Sequence, residues 1–279
     1  MVDLLVNDAL ENLKIGVIGA GIMGKALIKG MLDSGLMARE AVFAAVNSEA
    51  SRERVKKELA IATAVGYPKA WIADTDIYLI CTKPYRVPKV LKQLSASGVL
   101  KSGALIISVA AGVTLATMES LLPEHPILRA MPNTPCLIQA GATVVSPGQH
   151  ARPEHVALGT RIFASVGKCL ELHERHLNAV TAVSGSGPAY IYLIMEALAD
   201  GAVKVGLPRD VAFLLVSQTM LGAAQMMQRS GRHPATLKDD VTTPSGCTIS
   251  ALLTLEDGKI RSTLARAVEE ATRIAASLG

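Results

Sequence analysis

Residues 14–24 read KIGVIGAGIMG: a short apolar run, a glycine-rich turn, then at once a helical pattern. That junction constrains the fold more than any other feature of the chain. In the GxGxxG spacing of Gly19, Gly21 and Gly24, the first glycine permits a tight turn. The second lets a pyrophosphate approach the backbone, and the third lets the helix pack close to the strand. The N–H groups of Ile22 and Met23 at the helix start favour an anion. Further apolar runs follow at 41–46 (AVFAAV), 77–82 (IYLICT) and 104–109 (ALIISV), with helical patterns between them. Fully apolar strands alternating with helices predict a parallel sheet covered on both faces, a Rossmann-like α/β domain. ATVVS (142–146) and KCLELH (168–173) are expected to add strands at the far end of that sheet.

From about residue 174 strand patterns stop. Two long helices are expected at 188–204 and 209–230, punctuated by Pro188 and Pro208 at their starts and Gly206 and Gly231 past their ends. Both are apolar nearly all round, which predicts burial in a dimer. The expected division is a dinucleotide-binding Rossmann-like domain over 12–172 and an all-α dimerisation and substrate-binding domain over 173–279.

Composition narrows the function. The net charge of +4 is mild, and Lys and Arg are scattered, so no nucleic-acid footprint is expected. Cys81, Cys136, Cys169 and Cys247 form no CxxC pair and read as free thiols, with no metal site expected. No uncharged run of eighteen apolar residues occurs, and acidic residues interrupt the N-terminal stretch MVDLLVNDALEN, so neither a membrane span nor a signal peptide is expected. A cytoplasmic protein is the expectation.

The second strand runs into Asn47 and Ser48, with Arg52 soon after, and has no carboxylate at its tip. Amide and hydroxyl groups beside an arginine suit a 2′-phosphate, so NADP(H) is the expected cofactor, with NAD(H) the alternative. Thr82-Lys83-Pro84 ends the next run, Ala110-Ala111-Gly112 the one after, and Asn133 lies in RAMPNTP (129–135). All stand where open parallel sheets bind ligands. TTPSGCT (242–248) places Thr243 and Thr248 on either side of a Pro-Ser-Gly turn that opens a helix, a second setting able to receive an anion.

GAGIMG, TKP, SVAAGVT, RAMPNTPC, AVSGSGPAY, EALADGAVKVGLPRD and HPATLKDDVTTPSGCTI together resemble pyrroline-5-carboxylate reductase, from about residue 14 to about 276. The resemblance implies NAD(P)H-dependent reduction of the cyclic imine 1-pyrroline-5-carboxylate to L-proline, the last step of proline biosynthesis. It implies a homodimer with interlocked helical domains, or a larger assembly of such dimers. It further implies that Thr243 donates its hydroxyl to the substrate carboxylate, and that the N–H groups of Gly246, Cys247 and Thr248 complete the cradle. The catalytic contact is the Thr248 hydroxyl on the ring nitrogen.

Two departures stand out. The family usually has Pro-Gly-Gly where this chain has Pro244-Ser245-Gly246. A positive φ at Ser245 costs about 1 kcal/mol. Tyr67-Pro68 stands near the place where family members often carry an Asn against the cofactor ribose. The competing readings are a reductase of another small cyclic imine or oxo acid, and a non-catalytic dinucleotide-binding regulatory protein.

Overall fold

The computed structural model describes Leu10 and residues 12–277, so the N-terminal stretch considered above for a leader lies almost wholly outside the described residues. The chain divides into two compact units. One comprises the described residues up to Ser186 together with the described residues from Ala271, and the other Gly187–Glu270.

The first unit opens with β1 (Ile15–Ile18), α1 (Ile22–Asp33), β2 (Val42–Val46), α2 (Glu49–Leu59), β3 (Ala62–Val65), α3 (Lys69–Asp74) and β4 (Ile77–Ile80). It continues with α4 (Val87–Ala96), β5 (Leu105–Ser108), α5 (Leu115–Glu119), β6 (Ile127–Met131), β7 (Gly141–Pro147), α6 (Pro153–Ala164), β8 (Gly167–Glu171) and α7 (Leu177–Val180). The strands form one sheet in the order β3-β2-β1-β4-β5-β6-β7-β8. Neighbours are parallel except β6 and β7, which run antiparallel. The expected α/β architecture is what forms.

Strand periodicity explains why both faces are buried. Ile15, Val17, Ala44, Val46, Leu79 and Ile107 point to one side, where Leu27, Ile28 and Met31 of α1, Val55 of α2 and Phe163 of α6 cover them. Ile18, Tyr78, Ile80 and Ile106 point to the other, under Ile72 of α3, Leu91 and Leu94 of α4, and Met118 of α5. Two strands go beyond the sequence pattern. β3 is a partly exposed edge of small residues, and β6 carries a charged residue, Arg129, in an otherwise apolar run.

One backbone position in β1 is fixed by an aromatic side chain. Gly16 lies in register with Phe43 on β2 and Tyr78 on β4. A Cβ on Gly16 would stand 2.0 Å from the Tyr67 hydroxyl oxygen, with Phe43 next at 3.1 Å. That hydroxyl is buried without a hydrogen-bond partner, and burial pushes its pKa well up, so it stays a neutral phenol. Tyr67 packs among Phe43 and Tyr78, and Phe43 in turn meets Trp71 at 4.8 Å between ring centroids.

The second unit is helical: α8 (Gly187–Lys204), α9 (Arg209–Ser230), α10 (Pro234–Asp240), α11 (Cys247–Asp257) and the first part of α12 (Ile260–Ala276). Gly206 at φ +104° turns α8 into the loop before α9, and Gly231 at φ +64° caps α9, as their sequence placement predicts. α8 and α9 pack together, yet each has a single buried residue, Ala199 and Ala212. Leu193, Leu214, Leu221 and Met226 remain about half to two-thirds exposed. No helix among the described residues is long and apolar enough to cross a membrane.

The expected boundary at 172/173 differs from the division seen at Ser186/Gly187, because residues 174–186 make side-chain bonds within the first unit. The Gly16–Tyr67 contact yields a direct test. Gly16→Ala is expected to lower stability by about 1–3 kcal/mol, the usual cost of overpacking. Tyr67→Phe removes the clashing oxygen, so in the double variant most of that loss is restored. Urea denaturation of the three variants measures it; equal losses in Gly16→Ala with and without Tyr67→Phe would contradict the contact.

Candidate functional site

One group of candidate residues lies at the carboxyl ends of β1 and β4, where the strand order reverses. Gly19 has φ +98°, and a Cβ there would stand 2.8 Å from the Cys81 carbonyl oxygen. A Cβ on Gly24 would stand 2.3 Å from the Gly19 carbonyl oxygen. The two glycines therefore allow the start of α1 to fold down against the β1–β4 junction. Gly21 is different: nothing lies within 4 Å of its would-be Cβ, and it caps α1 without any side-chain bond. The first amides of α1, including Ile22 and Met23, have no partner within the helix. Ile22 is 67% exposed. Cys81 sits behind Gly24, and desolvation pushes its thiol up to about 12, which keeps it protonated and inert.

A cleft of about 890 Å³ opens beside this junction, lined among others by Gly19, Asn47, Tyr67, Lys69 and Thr82. The Thr82 hydroxyl is buried without a partner. An orphaned hydroxyl, an open glycine and free helix-start amides fit a dinucleotide phosphate. Lys83 precedes a short 3₁₀ turn, Pro84–Arg86. After β5, Ala110 is buried and Gly112 takes φ +78°, which turns the small-residue loop into α5.

The structure also shows what several candidates already do. Ser48 caps α2 by accepting the Ser51 amide. Arg52 is paired with Glu49 and Glu53, each at 2.9 Å. Asn133 accepts the Ala142 amide at 2.8 Å and donates to the Ser184 carbonyl at 3.0 Å, joining β7 to a π-helical turn at Thr181–Gly185. Sequence reasoning passed over Glu174. One of its oxygens accepts both Arg129 Nη1 and the Leu115 amide at 2.7 Å, pinning the start of α5 to β6. The Arg129 side chain is almost fully buried, so its charge requires that carboxylate.

A separate group of candidate residues is the TTPSGCT loop of the helical unit. Gly246 is the N-cap of α11, with no side-chain cap. A Cβ on Gly246 would stand 2.5 Å from Thr243 Oγ1, so the threonine hydroxyl lies over the glycine. The Gly246 amide donates to the Thr243 carbonyl at 3.1 Å. This corrects the expectation that Gly246 offers its N–H to a ligand: that group closes the turn, and the amides of Cys247 and Thr248 in the first turn of α11 are left. Thr243 is exposed and Thr248 partly so.

Ser245 adopts φ +55° in this loop. A side chain in the left-handed region is strained by about 1–2 kcal/mol, and glycine relieves the strain at some cost in chain entropy. Ser245→Gly is expected to raise stability by about 0.5 kcal/mol or more, and Ser245→Val to lower it by about 1 kcal/mol, as read by thermal unfolding. The reverse ranking would contradict this loop conformation.

Comparisons with known proteins agree with this geometry. Residues 174–278 match the family model for pyrroline-5-carboxylate reductase dimerisation, and residues 14–112 match the model for NADP oxidoreductase, coenzyme F420-dependent. A pyrroline-5-carboxylate reductase of Arabidopsis thaliana is 39% identical over 94% of each chain. The solved structure of a pyrroline-5-carboxylate reductase from Coxiella burnetii superposes with a TM-score of 0.90 at 31% identity, covering 96% of this chain and 99% of that one. That of Plasmodium falciparum, with NADP bound, superposes with a TM-score of 0.85 at 31% identity, covering 97% and 99%. With the glycine turn, the exposed apolar helices and the hydroxyl loop all in place, the chain belongs to the pyrroline-5-carboxylate reductase family.

Proposed function

We propose that the protein reduces 1-pyrroline-5-carboxylate to L-proline with NADPH as the preferred reductant. The observation that carries this is the pairing of a dinucleotide turn at Gly19–Gly24 with a hydroxyl-lined helix start at Thr243–Thr248 in a chain of this family. When bound, the reduced nicotinamide supplies the hydride, and the chain's task is to hold and orient.

Gly21 leaves the approach to the α1 amides open for the pyrophosphate, and the Thr82 hydroxyl stands ready as a further donor. Ala110, Ala111 and Gly112 leave room for the flat nicotinamide ring, with Lys83 and Pro84 beside them. Asn47 and Ser48 stand at the ribose end. In the helical unit, Thr243 and the amides of Cys247 and Thr248 hold the substrate carboxylate, which the start of α11 favours through its dipole. The Thr248 hydroxyl bonds the ring nitrogen as it passes from imine to amine. A protonated imine needs no further acid, so the absence of a carboxylate or histidine from this loop is consistent with the chemistry. Positioning carries most of the rate.

We further propose a homodimer, supported by the match to the dimerisation family and by the exposed apolar residues of α8 and α9, with assembly beyond the dimer open to such subunits. Four free thiols suit a reducing compartment, and we place the protein in the cytoplasm.

Thr248→Val keeps the side-chain shape and removes one hydrogen bond. Turnover of pyrroline-5-carboxylate, followed by NADPH oxidation, is expected to fall about ten- to hundred-fold, the equivalent of roughly 1–3 kcal/mol, while NADPH binding is retained. Unchanged turnover in this variant would overturn the role given to Thr248. Turnover of other cyclic imines or oxo acids, with none of pyrroline-5-carboxylate, would overturn the substrate.

A further inference from the structure

We infer that Lys69, rather than Arg52, is the cation that distinguishes NADP(H) from NAD(H) in this protein; the inference rests on the dinucleotide reading above and names a specificity-determining residue within it.

The sequence offers Arg52 for this role because it follows the tip of β2. The structure engages it elsewhere. Its Nε lies 2.9 Å from Glu49 and its Nη2 2.9 Å from Glu53, so its charge is matched twice along α2. An incoming phosphate would have to sit beside those two carboxylates or displace them. Ser48, the other group offered for the phosphate, is bonded to both the amide and the hydroxyl of Ser51.

Lys69 lines the cleft and follows the neighbouring strand, β3. β3 pairs with β2 at Val65 and Val46, and the Gly66 amide donates to the Val46 carbonyl at 2.9 Å. The chain therefore leaves β3 alongside Asn47, and three residues later reaches Lys69, which lines the cleft together with Asn47. Lys69 is exposed and makes no ion pair with any described residue. Among the described residues, no aspartate or glutamate lines this cleft. Arg86 and Lys89 line it too, but they follow β4, and Arg86 packs on the Tyr85 ring. The ribose that carries the distinguishing phosphate binds at the tip of β2 in this fold, which singles out Lys69. Asn47 at that tip brings an amide where NAD-specific sites bring a carboxylate, so nothing there repels a phosphate dianion. A lysine ammonium pairs with such a dianion as a point charge.

Binding without turnover provides the test. Trp71 is the single tryptophan of the chain and lies two residues from Lys69, so its fluorescence, with calorimetry as a second readout, reports nucleotide affinity. Wild-type protein, Lys69→Gln and Arg52→Gln are each titrated with NADPH and with NADH. Lys69 is exposed, so the variant is expected to melt like the wild type. The expected result is a loss of about tenfold or more in NADPH affinity in Lys69→Gln, with NADH affinity unchanged, and a preserved NADPH preference in Arg52→Gln. Loss of preference in Arg52→Gln, an equal or absent effect of Lys69→Gln on the two nucleotides, or a wild-type protein that binds both equally would overturn the inference. A wild-type protein that binds neither would remove the dinucleotide reading itself.

Discussion

The close approach of two backbones at Gly19 is the contact on which the nucleotide half of the molecule depends. A side chain at Gly19 would run into the Cys81 carbonyl, and one at Gly24 into the Gly19 carbonyl. The result is a helix whose first amides stand at the carboxyl edge of the sheet, where β1 and β4 part to opposite neighbours. Everything else in that unit holds this edge in place. Alternating residues of β1, β2, β4 and β5 feed two separate apolar layers, and helices close each layer. The sheet is thereby fixed on both faces while its end stays open.

Polar bonds hold the loops at that open end. Glu174 binds Arg129 and the start of α5 through one oxygen, and Asn133 binds β7 and the π-turn before α8. Both groups are largely buried, where a hydrogen bond is worth most and a missing one costs most. Glu174 is also the first residue matched by the dimerisation family, and Ser184 lies within the same match. The loops at the carboxyl edge of the sheet are therefore bonded to the first residues of the segment that matches the dimerisation family. The energy is small per bond, about 1–3 kcal/mol for a charged partner, but the bonds act on the loops where chemistry requires fixed positions.

Strands β1, β2, β4 and β5 are legible in the sequence because parallel strands buried on both faces must be apolar throughout. β3 is not, because Ala62, Thr63, Ala64 and Val65 of this edge strand stay partly or wholly exposed on both faces and need not be strongly apolar. β6 is hidden by Arg129, whose charge is tolerated only because Glu174 returns to it from 45 residues away. The glycine turn is read correctly because its requirements are local. Arg52 shows the opposite case: its partners are sequence neighbours, but which of its bonds form depends on the rotamers of α2, and the motif conceals that. Ser245 is the reverse again: it stands where the family usually has glycine, and its φ of +55° is a conformation that glycine favours. Tyr67 could not be read at all, because its place over Gly16 depends on the packing of two other strands.

The central claim is that the protein moves a hydride from the reduced nicotinamide to the imine carbon of its substrate. Following the transferred atom tests this most directly. The enzyme is supplied with NADPH dideuterated at the nicotinamide C4, together with pyrroline-5-carboxylate, and the product is read by NMR. The account predicts proline carrying a single deuterium on the ring carbon that was the imine carbon, the one bonded to nitrogen and remote from the carboxylate. Proline without deuterium, deuterium at another carbon, or no proline beside intact NADPH binding would contradict it.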